Sequence, residues 1–398
     1  MTIHTVAALS VVAVLTVAGG GGLVAQQSPA AGASATATSA EITAAIGQLG
    51  SFDFAVRTQA ARTIRRATAA TASPLLADAV KAHKDSYVRY RSLVLLTALD
   101  EKRAAETINA VIGDRDDRLR TVSYQWYEHH PDPSIVPALV SALPSEQSEF
   151  VRPALTRALA AQGSVAQAQT ALRPLVMRGP DLFRGAAITA LGDYKGTYAL
   201  ADIVEVAKLD GPLQEDAILA IGRLGDPSSR SILASLQKTA PPEALPAISG
   251  ALCLLGIDVA SHEAYLKKTL AFALTTDGFQ PLLRGVVRAL SATAARGNAA
   301  HLEILIDAGV TAMDPGRDSV ALGVGIAALR NPELFLKAME TRANREPAIK
   351  LVRDAFDLLA EDFEEERFYV NIRRAFWAAP EASPRRQAAQ ALIDILEF

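Results

Sequence analysis

The sequence contains a single cysteine, Cys253, among 398 residues. An intramolecular disulfide and a metal site built from several cysteines are therefore both excluded. Cys253 lies in the apolar run Ala-Leu-Cys-Leu-Leu-Gly, which is typical of a small buried hydrophobic residue and not of a reactive nucleophile.

Catalytic motifs and excess basic charge are missing as well. The sequence has no GxSxG elbow, Walker loop or HExxH helix, so nucleophilic, nucleotide-dependent and zinc-protease chemistry have no starting point. Lysine and arginine number 40 against 43 aspartate and glutamate residues, which disfavours binding to nucleic acid phosphates. We expect no catalytic residue, cofactor, metal ion or nucleic-acid partner.

Long apolar runs are scarce, and the one at the N-terminus is short. It extends from Val6 to Ala18, which suits a signal peptide but falls short of the roughly 20 residues that span a bilayer. Four glycines and an Ala/Ser/Thr-rich stretch to Ala40 follow, so residues 1–40 are expected to be a signal peptide or N-terminal anchor plus a disordered spacer. The protein is expected to be periplasmic or secreted, or alternatively membrane-anchored and facing the periplasm.

Beyond Ala40 the sequence repeats with a period of about 32 residues. Each of the first five units is marked by an arginine with an acidic residue three or four positions ahead of it, and the arginines are separated by 32, 31, 32 and 32 residues. The register continues through Gln214 and Pro246 and then through four looser units, giving about eleven in all. The five acid and arginine pairs, called the ladder below, are Asp53 and Arg57, Asp85 and Arg89, Asp116 and Arg120, Glu149 and Arg152, and Asp181 and Arg184.

Residues three and seven positions after each marker form a helical core stripe. The first of these positions is mostly small, as at Ala60 and Ser92, and the second is mostly apolar, as at Ile64 and Leu96. Offsets of three, four and seven lie on one face of a helix. A second helical segment precedes each marker, and strands are disfavoured in a repeat so rich in alanine. The pattern predicts an all-α fold, an α-solenoid of about eleven stacked helical hairpins over residues 41–398.

These units resemble HEAT repeats, in particular the short bacterial HEAT-like type also found in phycobilin lyases. The shared features are the acid ahead of Val/Leu-Arg, the alanine-rich second helix and the Leu-Gly-Asp-Pro turn at Leu224 to Pro227. The resemblance implies a HEAT-like superhelix and a noncatalytic scaffold that binds a protein or peptide on its surface. The alternative is a HEAT-like lyase or chaperone acting on a bound prosthetic group such as a tetrapyrrole, which would need tyrosines and aspartates in the groove.

The ladder has two interpretations. In the favoured one, each acid caps the second helix while each arginine forms a bidentate pair with the acid of an adjacent unit, which braces the stack. In the other, the arginines form a surface row that binds an acidic partner.

Aromatic residues, only 6% of the chain, are concentrated in units two to four. Tyr124 and Tyr127 fall on the core stripe, but Trp126 lies on another face and is predicted to be exposed. Aromatic hot spots often mark partner-binding surfaces, and the alternative is packing between hairpins. The candidate partner-binding residues are Tyr87, Tyr90, Trp126 and Phe150.

Near the C-terminus, an acidic run from Glu361 to Arg367 precedes an aromatic segment from Phe368 to Trp377. The acidic run is predicted to be a solvated helix or turn and the aromatic segment a packed helix. The alternative for the pair is a docking surface for a basic partner.

Overall fold

The computed structural model describes residues 37–276 and 278–398. The predicted signal segment and most of the spacer lie outside the described residues. Within the described residues there are 22 α-helices, four short 3-10 helices (Pro133–Ile135, Arg173–Val176, Thr197–Ala199 and Pro242–Ala244) and no strand. The α-helices are α1 (Ser39–Gln48), α2 (Phe54–Arg65), α3 (Ala69–Ala82), α4 (Ser86–Leu99), α5 (Glu101–Val111), α6 (Asp117–His129), α7 (Val136–Ala142), α8 (Val151–Ala161), α9 (Ala166–Leu172), α10 (Asp181–Asp193), α11 (Leu200–Ala207), α12 (Gln214–Leu224), α13 (Ser229–Thr239), α14 (Leu245–Leu254), α15 (Val259–Thr275), α16 (Gln280–Ala295), α17 (Ala299–Thr311), α18 (Gly316–Arg330), α19 (Pro332–Thr341), α20 (Glu346–Leu359), α21 (Asp362–Ala378) and α22 (Pro384–Leu396).

The helices pair into eleven hairpins, as the repeat predicts. Each marker lies on the second helix of its hairpin, from Arg57 on α2 to Pro246 on α14. The four looser units correspond to α16, α18, α20 and α22. The predicted solenoid of about eleven hairpins is confirmed.

Successive second helices pack directly against each other and form the inner layer of the solenoid. Small residues permit this close approach. A Cβ atom at Gly192 would lie 2.8 Å from the Cα of Ala220, and one at Gly222 would lie 2.5 Å from the Cα of Ala251. At these positions glycine is required because the neighbouring backbone occupies the space of a side chain.

The ladder acids divide into two groups. Asp53, Asp85 and Asp116 are N-caps, since each carboxylate accepts a hydrogen bond from a backbone N–H two residues ahead. Glu149 and Asp181 make no capping bond: Phe150 is the N-cap of α8, and Asp181 is already the first residue of α10. The predicted cap therefore holds for three of the five units.

The ladder arginines have different partners from those predicted. Their guanidinium groups mainly donate to backbone carbonyls of the turn within their own hairpin, as Arg57 does to Ser51 O at 2.7 Å and Arg152 to Leu143 O at 2.9 Å. Arg89 and Arg120 also reach the next unit, but they bind Asp114 and Glu146 in its turn and not the predicted ladder acid, and the pair of Arg120 with Glu146 is bidentate. The capping carboxylates are already occupied by helix N–H groups, which explains why the expected acid–arginine pairs between units are absent in these cases.

The last hairpin folds back onto the first units. Helix α21 packs against α4 and α18, and the superhelix closes on itself. The predicted solvated character of the acidic run is wrong, because Glu364 and Glu366 are buried at this seam with 2% and 1% exposure. At the chain end, the ring of Phe398 stacks on Tyr369 with centroids 4.1 Å apart.

Among the described helices, none is by itself long and apolar enough to cross a membrane. Helices α18 and α19 reach that length and apolar character only when taken together, and a bend of 112° separates them.

Candidate functional site

A cavity of about 860 Å³ lies inside the superhelix, between the inner helices α6 to α12 on one side and α16 and α18 on the other. One carboxylate, that of Asp193, belongs to its lining, together with an apolar wall that includes Leu219, Val287, Leu322 and Ile326. The most frequent lining residue is arginine, with six members: Arg157, Arg223, Arg284, Arg288, Arg296 and Arg330.

The arginines come from defined positions on the inner helices. Arg223 is in the last turn of α12, Arg296 is the C-cap of α16, and Arg330 is the last residue of α18. A cation at a helix C-terminus interacts favourably with the helix dipole. These three side chains therefore gather at one end of the cavity, called the closed end below, where the second helices finish.

Asp193 and Glu128 organise the closed end. Asp193 lies 2.9 Å from a guanidinium nitrogen of Arg157, 3.4 Å from Arg223 and 3.6 Å from Arg296. Glu128 is 2.6 Å from Arg157 and 3.1 Å from Arg330. Four arginines thus share two carboxylates, which fixes the positions of their guanidinium groups.

Burial and charge oppose each other at these two carboxylates. Burial raises the pKa of Glu128, but Arg157 and Arg330 outweigh it, and the pKa is lowered. Burial likewise opposes ionisation of Asp193, while Arg223 and Arg157 bring its pKa below the usual range. For Arg223, burial lowers the pKa of the guanidinium more than Asp193 raises it. Both acids are consequently held as carboxylates, and Asp193 compensates the buried charge of Arg223 only in part.

Helix α21 completes the closed end. Glu364 lies 2.8 Å from the Nε2 atom of His129 and 2.6 Å from Arg367. Glu128, His129 and Glu364 place ligand-type atoms within 4.8 Å of one another, a spacing that could hold a metal ion. The two carboxylates already bind Arg157, Arg330 and Arg367. These guanidinium groups supply the positive charge that a metal ion would otherwise provide, so the cluster is an ion-pair network.

The other end of the cavity, near the N-termini of α16 and α18, is called the open end below. Arg288 pairs there with Asp216 and lies 3.6 Å from Glu215. Burial raises the pKa of Glu215 more than Arg288 lowers it. The Glu215 carboxyl is therefore less readily ionised and compensates the positive charge of Arg288 only weakly. Among the described residues none forms an ion pair with Arg284, which is exposed. Arg284 is therefore available to an incoming anion.

A second, largely apolar hollow of about 620 Å³ adjoins the open end. It shares Arg157, Thr189 and Arg288 with the main cavity and is also lined by Leu182 and Pro212. The two spaces therefore adjoin at these shared residues.

The structure separates the four predicted partner-binding residues. Trp126 was expected to be exposed, but it is 4% exposed and stacks on His130 with ring centroids 3.7 Å apart. The hydroxyl of Tyr90 donates a hydrogen bond to Asp362 at 2.7 Å, so this side chain packs in the seam with α21. Tyr87 is half-buried beside Tyr90 and Arg118. Phe150 is 76% exposed and does not belong to the cavity lining, and its role in binding remains a prediction.

None of the six cavity arginines is among the binding residues predicted from the sequence. A signal was present, because Arg223, Arg296 and Arg330 each end an alanine- or glycine-rich second helix and come one or two residues before a glycine or asparagine. The markers of the repeat stand at the start of these helices, whereas Arg223, Arg296 and Arg330 stand at their ends.

No family model and no curated protein matches the chain. Among solved structures, the complex of CpcE and CpcF of phycocyanin lyase from Nostoc sp. PCC7120 is 18% identical over 64% of this chain and 94% of that chain, with a TM-score of 0.39. A structure of Kap95p bound to RanGDP is 12% identical over 91% of this chain and 55% of that chain, with a TM-score of 0.42. Kap121p is 14% identical over 90% of this chain and 40% of that chain, with a TM-score of 0.36.

These similarities are too low to carry a functional argument. This chain also spans only about half or less of the two karyopherin chains. The fold is a HEAT-like α-solenoid. Its own eleven stacked hairpins establish that description.

Proposed function

We propose that the protein is a noncatalytic scaffold that holds an extended acidic segment of a partner protein in the arginine-lined groove. The observation that carries the proposal is the lining itself, with six arginines and one carboxylate. Guanidinium groups bind carboxylates in a bidentate manner and are the preferred cations of protein recognition sites.

The shape of the groove favours an extended chain over a compact ligand. Its lining follows α16 from Gln280 to Arg296, a length of about 24 Å at 1.5 Å per residue. The volume of 860 Å³ spread over this length gives a cross-section of roughly 36 Å². An extended peptide advances about 3.4 Å per residue, so about seven residues fit.

The noncatalytic assignment rests on the polar side chains near the groove, which are already bound to other residues of the chain. His129, Glu128 and Asp193 are the side chains best suited to acid–base work near the groove, and all three bind arginines or Glu364. A lyase or chaperone for a tetrapyrrole would need free tyrosines and aspartates. Tyr194 donates to Glu128 at 2.7 Å and Asp193 is bound by arginines, so we favour the scaffold.

The proposed place of action is outside the cytoplasm, either periplasmic or secreted, with a membrane-anchored form facing the periplasm as the alternative. This rests on the short apolar run between Val6 and Ala18. Mass spectrometry of the mature N-terminus tests it, since an intact Met1 on the native protein would contradict cleavage.

Binding can be tested with a fluorescein-labelled peptide, acetyl-ESESLSE-amide, by fluorescence polarisation. We expect saturable binding, and we expect the basic counterpart KSKSLSK not to bind. Arg284→Glu should weaken binding at least tenfold because it places a negative charge in the groove without breaking an internal ion pair. Arg230→Glu is the matched control, since Arg230 is an exposed arginine on α13 outside the lining.

Two results would contradict the proposal. The first is equal binding by the Arg284→Glu and Arg230→Glu variants. The second is full displacement of the peptide by citrate at the same concentration as unlabelled peptide, which would identify a site for small polyanions.

A further inference from the structure

We infer that the bound segment carries acidic side chains at its first, third and seventh positions and an apolar side chain at its fifth, counted from the residue nearest Arg284. The inference rests on the proposed function and specifies which acidic segments the groove accepts. Its basis is the order of residues along α16.

Helix α16 presents lining residues at steps of four. Arg284, Arg288, Ala292 and Arg296 all contact the groove, and residues at this spacing form a ridge on the helix surface. Each step advances about 6 Å along the helix axis. The ridge therefore offers cation, cation, apolar surface and cation over about 18 Å.

An extended peptide has a closely similar repeat. Every second side chain points to the same face, and two residues advance about 6.7 Å. Positions one, three, five and seven of a strand laid along α16 would then fall near Arg284, Arg288, Ala292 and Arg296 in turn. The small difference between the helix step and the peptide step is within the reach of an arginine side chain.

The neighbouring helix supports the apolar position. Leu322 and Ile326 of α18 line the groove on the same side as Val287 and Ala292, and Ile326 is 42% exposed although it is a large hydrophobic residue. A leucine at position five would cover this surface. A charged side chain there would lose water without gaining a partner.

The three cations are not equivalent. Arg284 has no ion-pair partner among the described residues, whereas Arg288 pairs with Asp216 and Arg296 donates to the backbone oxygen of Asp193. A carboxylate at position one therefore meets the least compensated guanidinium of the ridge. We expect this position to make the largest contribution to affinity.

The test compares three labelled peptides of one composition and charge: ESESLSE, its reversal ESLSESE, and the permutation EESLSSE. The first two keep the acids and the leucine on one face in opposite chain directions, whereas the third moves one acid and the leucine to the other face. We expect at least one of the first two to bind ten times more tightly than the permutation. A double-mutant cycle of Arg284→Ala with Glu→Gln at the peptide position nearest Arg284 should show coupling.

The outcomes separate this inference from the proposed function. Equal affinities for all three peptides, each weakened by Arg284→Glu, would overturn the pattern and leave the acidic-segment scaffold standing. Absence of binding by all three would overturn both. Additive effects in the double-mutant cycle would remove Arg284 from its assigned position.

Discussion

The guanidinium group of Arg65 in the first hairpin and the carboxylate of Glu366 in the last form a buried bidentate ion pair across 301 positions of sequence. Their side chains are 8% and 2% exposed, and the shortest nitrogen–oxygen distance is 2.6 Å. Arg91 with Asp362 and His129 with Glu364 extend the same seam. The acidic run of α21 is thus bound by basic residues of the chain's own first units, and this closes the superhelix around the groove.

Breaking the buried pair should be costly. Glu366→Gln leaves the guanidinium groups of Arg65 and Arg373 near a neutral side chain, and we expect a loss of about 3–5 kcal/mol in the free energy of unfolding. Glu397→Gln is the control, because Glu397 is 57% exposed in its pair with Arg62 and such pairs contribute only about 0–1 kcal/mol. Urea unfolding followed by circular dichroism measures both, and similar midpoints for the two variants would contradict a stabilising seam.

The shifted pKa of Glu365 predicts that stability changes with pH in the direction opposite to the effect of the neighbouring carboxylates. Burial, with the nearby Asp362 charge, raises the pKa of Glu365 to about 8, whereas the carboxyl of the unfolded chain ionises near 4.5. Between these values the folded state holds a proton that the unfolded state has lost, so this group reduces stability increasingly as the pH rises from about 4.5 to about 8.

Glu365→Gln removes that penalty. We expect the variant to melt at a higher temperature than the parent at pH 8 and at nearly the same temperature at pH 4.5. Differential scanning calorimetry over this range measures the change. A variant that is less stable at pH 8 would mean that the ionised carboxylate is stabilising.

Two glycine substitutions should have opposite effects. Gly222→Ala would place a Cβ atom 2.5 Å from the Cα of Ala251, so α12 and α14 must separate and stability should fall by about 1–3 kcal/mol. Gly47→Ala meets nothing within 4 Å inside α1 and should stabilise by about 0.5–1 kcal/mol. Thermal unfolding of the pair checks the sign, and stabilisation by Gly222→Ala would contradict the close packing of the inner layer.

Arg89→Ala should lower the melting temperature without changing peptide binding. The side chain donates from Nε to Val80 O at 2.7 Å and binds Asp114 of the next unit at 2.6 Å. Arg89→Lys should recover little, because lysine cannot make both contacts in this fork geometry. Arg118→Ala, at a side chain 44% exposed, is the control. An unchanged melting temperature with lost binding would instead support the surface-row interpretation of the ladder.

The local sequence pattern was sufficient to predict the hairpins because the units repeat the same short-range signals. An N-capping aspartate starts the second helix in three units, as at Asp53 and Asp85, and a stripe of small and apolar residues runs along the second helices. Such signals act within one or two turns of helix, so they can be read without a structure. The partners of the arginines could not be read this way, since the turn carbonyls that bind Arg57 and Arg152 leave no trace in residue type.

The sequence by itself determined the helical hairpin, its period and the number of units, because these follow from periodicity and capping within each repeat. Only the tertiary structure decided that Glu364 and Glu366 are buried and that Trp126 is covered. It also gathered Arg157, Arg223, Arg284 and Arg330 around one groove from hairpins far apart in sequence. Curvature accumulates from small rotations between units, and no single repeat encodes where the first unit will meet the last.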